Sequence, residues 1–358
     1  MMLLAAPPRE ICVLRLSAIG DVCHTLPVVR TLQAHFPHTR ITWIIGRLEA
    51  TLVGDIPGIE FITFDKRAGL AAWRALRAAL RGRRFDVLLH MQVALRASFA
   101  SLAVPASIRL GFDRARARDF QWLFTSHRIA ARPAEHVMDG LFGFAEALGA
   151  TRRVLRWDIP LAPADREFAR VQTGEGRPVL VISPCSSMRA RNFRNWRAER
   201  YAAVADHAAE KHGMRVILTG GPTELEREYG ARIAAAMHTP PVNLIGLTTL
   251  KQLLAVLERA TALIAPDSGP VHMATAVGTP VIGLYATSNP ARTGPYFSRR
   301  WTVDRYAEAL ARFGGRRPDS VRWGARVRAA EAMDLITVSD VCERLDALMA
   351  AGAPRTGA

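Results

Sequence analysis

Lysine is nearly missing from this chain of 358 residues: only Lys66, Lys211 and Lys251 stand among its 48 basic side chains. The formal charge of +16 is therefore almost all arginine, spread along the sequence. No standard nucleic-acid module accompanies it, so no nucleic-acid partner is expected. Cysteine is scarce too. Cys12, Cys23, Cys185 and Cys342 lack metal-ligand spacing and read as reduced thiols of a cytoplasmic protein. No run of 18 apolar residues occurs, which excludes a membrane-spanning helix. Met1 to Pro8 is too short, and lacks the basic start, to read as a secretory signal. A paired-carboxylate metal motif is also missing, so no metal is expected.

The length exceeds that of one ordinary core and points to two domains. Near the C-terminal end, Ala262 to Ala265 is a short apolar run, the length of a buried strand. Asp267-Ser268-Gly269 turns the chain, and Pro270 stands where a helix tolerates proline, in its first turn. Val271 to Val277 reads as that helix, and Val281 to Tyr285 as the next strand. A polar turn at the carboxyl end of a parallel strand is where open α/β sheets bind ligands, and free N–H groups at a helix start favour an anion. His272 could donate to a phosphate there. The competing reading makes Asp267 or Ser268 a helix cap and His272 a surface residue.

The same alternation runs through the chain. Strands are expected at 11–16, 41–45, 61–64, 85–90 and 108–112, with helices from the turn after residue 16 to Phe36, bent or restarted by Pro27, and at 70–80 and 135–148. Gln92 and Arg96 follow the strand ending at His90. Thr151 to Gly176, with Pro160, Pro163 and Gly174-Glu-Gly176, is the linker candidate. The pattern then restarts: strands at 178–183, 216–219 and 242–244, and helices at 197–212, 224–237 and 250–259. Tyr306 to Trp323 reads as irregular and arginine-rich, and Thr337-Val-Ser-Asp340 as the cap of a last helix. This is an α/β chain of two doubly wound units, whose strand ends would leave a cleft. Arg81-Gly-Arg-Arg84 and Arg114, Arg116 and Arg118 are local basic clusters. They could face anionic lipid or a phosphorylated substrate, or form solvated faces.

Three turns carry candidate chemistry. In Ser17-Ala-Ile-Gly-Asp21 a carboxylate follows a strand, as a general base or a helix cap, and Gly20 would let backbone approach a ligand. Ser183-Pro-Cys-Ser-Ser187 runs into Arg189, Arg191, Arg194 and Trp196, a set of hydroxyls and guanidinium groups suited to a diphosphate, or else an exposed basic loop. In Thr219-Gly-Gly-Pro-Thr-Glu224 the acid could take ribose hydroxyls or start a helix.

Together these blocks resemble glycosyltransferase family 9, the lipopolysaccharide heptosyltransferase type. The resemblance lies in Ser-x-x-Gly-Asp-x-x-His-Thr-Leu-Pro (Ser17 to Pro27), Arg-Asn-Trp (Arg194 to Trp196), Gly-Gly-Pro (Gly220 to Pro222) and Asp-Ser-Gly-Pro-x-His (Asp267 to His272), running from about residue 11 to 350. It implies the GT-B fold: Rossmann-like domains at 1–160, binding acceptor, and 161–335, binding nucleotide-sugar, with a helix in 336–358 crossing back to the first. It also implies inverting, metal-independent transfer of a heptose from ADP-heptose to an anionic, lipid-linked inner-core acceptor, by an enzyme held peripherally at the inner face of the cytoplasmic membrane.

By the same resemblance Asp21 is the catalytic base, and Arg15, Ser17, Gly20, His24, Gln92 and Arg96 lie on the acceptor side. Ser186, Ser187, Arg194 or Arg191, Glu224, Asp267, Ser268, Gly269 and His272 hold the donor. Arg194 stands where the family often has lysine, which keeps the charge and alters the geometry. The alternatives are a family member moving a different sugar or using another acceptor, a GT-B sugar-nucleotide epimerase, and a non-catalytic nucleotide-sugar binding protein.

Overall fold

The computed structural model describes residues 3–186 and 192–355 and divides into two units, residues 1–160 and 161–358. In the first, near-continuous apolar runs form the buried strands of a parallel sheet, as expected of strands covered on both faces. In chain order its elements are β1 (Glu10–Leu14), α1 (Ile19–His35), β2 (Arg40–Gly46), α2 (Arg47–Val53), β3 (Glu60–Phe64), α3 (Gly69–Ala79), β4 (Phe85–His90), α4 (Leu95–Ser101), β5 (Ala106–Gly111), β6 (His127–Arg128) and α5 (Val137–Ala147). The sheet order is β3-β2-β1-β4-β5-β6, all pairs parallel. The winding direction reverses between β1 and β4, so the turns after these two strands open at the switch point.

Pro27 neither stops nor restarts α1, which is continuous through it. A helical proline removes the hydrogen bond to the carbonyl four residues back. Here the carbonyl of Cys23 accepts instead from the indole Nε1 of Trp157, at 2.7 Å. The amide of Val154 also donates to Thr31 Oγ1 at 2.8 Å, so the extended 151–158 stretch is laid along α1.

The second unit repeats the plan with α6 (Pro163–Thr173), β7 (Val179–Ile182), α7 (Ala198–His212), β8 (Arg215–Leu218), α8 (Glu224–Ala236), β9 (Val242–Asn243), α9 (Leu250–Arg259), β10 (Ala262–Pro266), α10 (Gly269–Ala276), β11 (Val281–Tyr285), α11 (Pro290–Thr293), β12 (Val303–Asp304), α12 (Tyr306–Gly314) and α13 (Val338–Ala350). Its order, β12-β11-β10-β7-β8-β9, is the same winding, with the switch point between β7 and β10. Two doubly wound parallel sheets are thus present, as the alternation of strands and helices predicts.

Three segments differ from expectation. The linker candidate contains α6, started by Pro163 and by the Asp165 carboxylate accepting from the Ala162 amide, and docked on α9 through Arg259 Nε donating to Thr173 Oγ1 at 2.8 Å. The stretch read as irregular opens with α12, whose Tyr306, Ala309 and Leu310 are buried. The last helix, expected to pack on the first domain, buries Val341, Cys342, Leu345 and Leu348 in the core of the second unit against α7. Its cap is the expected one: Thr337 Oγ1 accepts from the Asp340 amide while the Asp340 carboxylate accepts from that of Thr337. All four cysteines are free and buried.

Candidate functional site

At the switch point of the first unit, Asp21 occupies the first turn of α1, and its carboxylate accepts from the Ala18 amide at 3.1 Å. It therefore does cap its helix. It also pairs at 2.5 Å with Arg15, which projects from just beyond β1, while the Asp21 side chain stays 35% exposed. Arg15 is buried; its other nitrogens donate to the carbonyls of Ser17, at 3.0 Å, and of Met91. The guanidinium is thus fixed by backbone on two sides and holds one carboxylate in place. A base oriented in this way, with part of its surface open, can take a proton from a hydroxyl.

Gln92, after β4, ties the two turns together: its Oε1 accepts from the Leu16 amide at 2.6 Å and its Nε2 donates to Ser17 Oγ at 3.2 Å. Behind it, Gln121 Nε2 donates to the carbonyl of His90 at 2.8 Å and meets the His90 ring, whose other nitrogen lies 3.2 Å from Ser98 Oγ. Burial, reinforced by the nearby Arg109 charge, pushes the His90 imidazole down to about 3, so this ring is neutral at ordinary pH. Gly20 and His24 are buried on α1, with the His24 ring edge-on to His136 at 5.4 Å. Arg96 is exposed on α4. The structure therefore gathers Arg15, Ser17, Asp21 and Gln92; the carbonyl of Met91 and the amide of Gln121 were not foreseen.

At the other switch point, Arg194 donates to the backbone carbonyl of Asp267 at 2.7 Å and lies 3.4 Å from its carboxylate. Asp267 is buried, and so is His272 on the first turn of α10. Ser186 donates from its amide to Asn195 Oδ1 at 2.9 Å and from its hydroxyl to Asn192 Oδ1 at 2.7 Å. The two asparagines, spaced by three in Asn192-Phe-Arg-Asn195, shape the loop that carries Arg194, and Trp196 pins it by donating to the carbonyl of Ile336 at 3.0 Å. Ser268, the residue before α10, keeps a buried hydroxyl oxygen with no hydrogen-bond partner among the described residues, as does Thr219 at the end of β8. Unmatched buried hydroxyls at strand ends are what a polar ligand would satisfy. Ser187 and Arg191 lie outside the described residues.

Glu224 is exposed at the start of α8. The acid that folds back onto the glycine turn is Glu226: it accepts from the Gly221 amide at 2.9 Å and from Thr223 Oγ1 at 2.6 Å. The spacing Thr223-x-x-Glu226 is a capping-box signal and could have singled it out. Asp267 also faces a small pocket shared with Ser288, Asn289, Arg292 and Arg326, the last from just beyond the arginine-rich segment. Among the described residues the group compact enough to hold an ion is His207, His212 and Asp346. It sits on α7 and α13, and Asp346 there already receives hydrogen bonds from Lys211 at 2.8 Å and lies within 2.8 Å of both rings.

Residues 73–314 match the family described as Glycosyltransferase family 9 (heptosyltransferase). The lipopolysaccharide core heptosyltransferase OpsX of Haemophilus influenzae is 39% identical over 348 residues, 97% of this chain and 99% of that protein. Among solved structures, a glycosyl transferase family 9 protein from Veillonella parvula superposes with a TM-score of 0.78 at 22% identity, covering 98% of this chain and 99% of the other. The E. coli heptosyltransferase WaaC with ADP gives 0.70 at 18% identity, covering 94% and 99%. These two establish likeness of fold.

Proposed function

The chain belongs to glycosyltransferase family 9 and is a glycosyltransferase, and we propose that it moves a heptose from ADP-heptose to a hydroxyl of a lipopolysaccharide inner-core acceptor, with inversion and without a metal. The observation that carries this reading is likeness to a core heptosyltransferase along nearly the full length of both chains. Asp21 takes the acceptor proton while the freed oxygen pair attacks the anomeric carbon. The bond from that carbon to the diphosphate breaks, and ADP leaves with its electrons on the far face. Arg15 keeps the carboxylate aimed, and Gln92 fixes the turn that bears it. Charge on the departing diphosphate is met by Arg194, by His272 and by the N–H groups that open α10. Ser186 and its two asparagines set the position of that loop, and the Ser268 hydroxyl supplies one further hydrogen bond to the donor.

Asp267 is nearly enclosed and engaged by Arg194, so its part is to orient that guanidinium and, through the pocket beside it, sugar hydroxyls. The work is done in the cytoplasm at the inner face of the membrane, on an acceptor anchored there by its lipid; among the described residues no helix is long and apolar enough to cross a membrane. The test is transfer in vitro. Purified protein with ADP-heptose and heptose-free core lipopolysaccharide should add one heptosyl residue, read by mass spectrometry, in the presence of EDTA. Transfer restricted to another sugar nucleotide would move the protein to a different donor, and dependence on added magnesium or manganese would remove the metal-free mechanism.

A further inference from the structure

Ten large apolar side chains stand exposed among the described residues, and six of them lie between residues 95 and 123 of the first unit. Leu95, Phe99 and Leu102 recur at the spacing of one helical face along and just beyond α4, whose opposite face is buried through Ala97, Ser98, Ala100 and Ser101. Phe120, Trp122 and Leu123 stand on a short 3-10 turn that packs beside α4, where the rings of Phe99 and Phe124 meet edge to face at 5.8 Å. These side chains are 45 to 65% exposed.

The backbone beneath them is bolted in place. Arg109 donates to the carbonyls of Ser101 at 2.8 Å, Val104 at 3.0 Å and Phe124 at 2.9 Å, joining the end of α4 to the turn. Gln121 anchors the turn from within, to His90 and to the carbonyl of Gln92 at 3.3 Å. An apolar surface on so fixed a frame is a built feature, and contiguous patches of this kind mark interaction sites.

Its charge selects the partner. Arg96, Arg114, Arg118 and Arg128 are exposed in the same stretch, and Asp119 is the exposed acid among them, since Asp113 is buried in a pair with Arg116. Leucine, phenylalanine and tryptophan rimmed by arginine match an interface of acyl chains below and anionic headgroups above. We propose that α4 and the 120–124 turn form the surface by which this protein docks on an anionic lipid bilayer. Gln121 links that surface to Gln92 and so to the turn bearing Asp21. The surface takes its purpose from a lipid-linked acceptor, the reading given above, but its affinity for a bilayer is measured with no acceptor present.

The experiment is co-sedimentation of the full chain with phosphatidylglycerol-containing vesicles and with pure phosphatidylcholine vesicles. Wild-type protein should bind the anionic vesicles at least about tenfold better than the neutral ones. A Phe120→Ser, Trp122→Ser, Leu123→Ser variant should lose at least about tenfold of that binding while keeping its thermal midpoint and ADP affinity. Should that variant misfold, brominated lipid should quench tryptophan fluorescence in the wild type and much less in Trp122→Phe. Equal binding by wild type and the triple variant, or no binding of either to anionic vesicles, would overturn the proposal. So would a wild-type dimer that the triple variant abolishes without change in vesicle binding, which would assign the surface to a second copy. Vesicle binding without heptosyl transfer would sink the proposed donor and acceptor and leave the surface standing.

Discussion

Two turns in this molecule look alike in outline and differ in wiring. Each follows a central parallel strand at a switch point, opens a helix and carries an aspartate. Asp21 keeps 35% of its side chain exposed and is paired to an arginine just beyond its own strand. Asp267 is only 9% exposed, and its arginine comes from a loop 73 residues away. Around Asp21 the neighbouring hydroxyl and amides are matched with one another, through Ser17, Gln92 and Gln121. Beside Asp267, the hydroxyl of Ser268 has no partner among the described residues. A saturated frame holding one accessible carboxylate suits a group that moves a proton. A frame with an unmatched hydroxyl and a guanidinium suits a group that holds a ligand.

The sharpest way to break this contrast is Asp21→Asn. Asparagine can still accept from the Ala18 amide, so the cap is kept, but it takes up no proton at neutral pH. Transfer measured by product mass should fall at least about a hundredfold, with folding and calorimetric ADP affinity near wild type. An Asn variant that transfers at the wild-type rate would leave Asp21 as a cap and nothing more. Next in size is Arg194→Ala, expected to weaken ADP binding by about 1.5–3 kcal/mol, the loss of charge-assisted hydrogen bonds. Unchanged affinity would place the diphosphate elsewhere, with Arg191 the next residue to replace. Smaller again is Ser268→Ala. A buried hydroxyl without a protein partner contributes nothing to the free protein, so the thermal midpoint should hold or rise, while donor binding weakens by about 0.5–1.5 kcal/mol. A lower midpoint with unaltered donor affinity would make that hydroxyl structural.

How much of this was legible beforehand depends on the range of the interaction. The central strands are largely apolar, and the spans expected near β1, β4, β7 and β10 fall within a few residues of those found. The alternation gave both sheets. Short or charge-rich helices were hidden: α2 and α4 have seven residues each, and the arginines of the α12 region drew notice before its buried stripe of Tyr306, Ala309 and Leu310. Asp165 and Pro163 signalled the start of α6, but prolines and glycines on either side made the segment resemble a linker. In the sites, motif spacing pointed to Asp21 and Asp267. It could not show that Arg15 is fixed by the carbonyl of Met91, because that contact spans 76 positions and uses an atom every residue possesses. The neutrality of His90 was equally out of reach, since it follows from burial rather than from sequence neighbours.

That histidine gives the smallest effect, and a way to ask whether the first turn depends on the polar network behind it. His90 has a folded-state value of about 3, well below the usual value of about 6.5 for an unfolded chain. Between these limits the unfolded chain binds a proton that the folded one refuses. The contribution of His90 is therefore fully present above about pH 6.5 and is lost as the pH falls toward 3. Carboxylates also titrate in the lower part of this window, so the informative range is pH 6.5 down to about 5. There wild-type stability should fall with a contribution on the order of 1 kcal/mol per pH unit from this residue. His90→Gln, whose amide can still meet Ser98 and Gln121 but does not titrate, should have a shallower slope by that amount, read from denaturant midpoints at each pH. Transfer by the variant at pH 7.5 should stay within a few-fold of wild type if the network only supports the turn. An unchanged slope would mean that the ring is protonated in the folded protein and that the network behind Asp21 carries a charge.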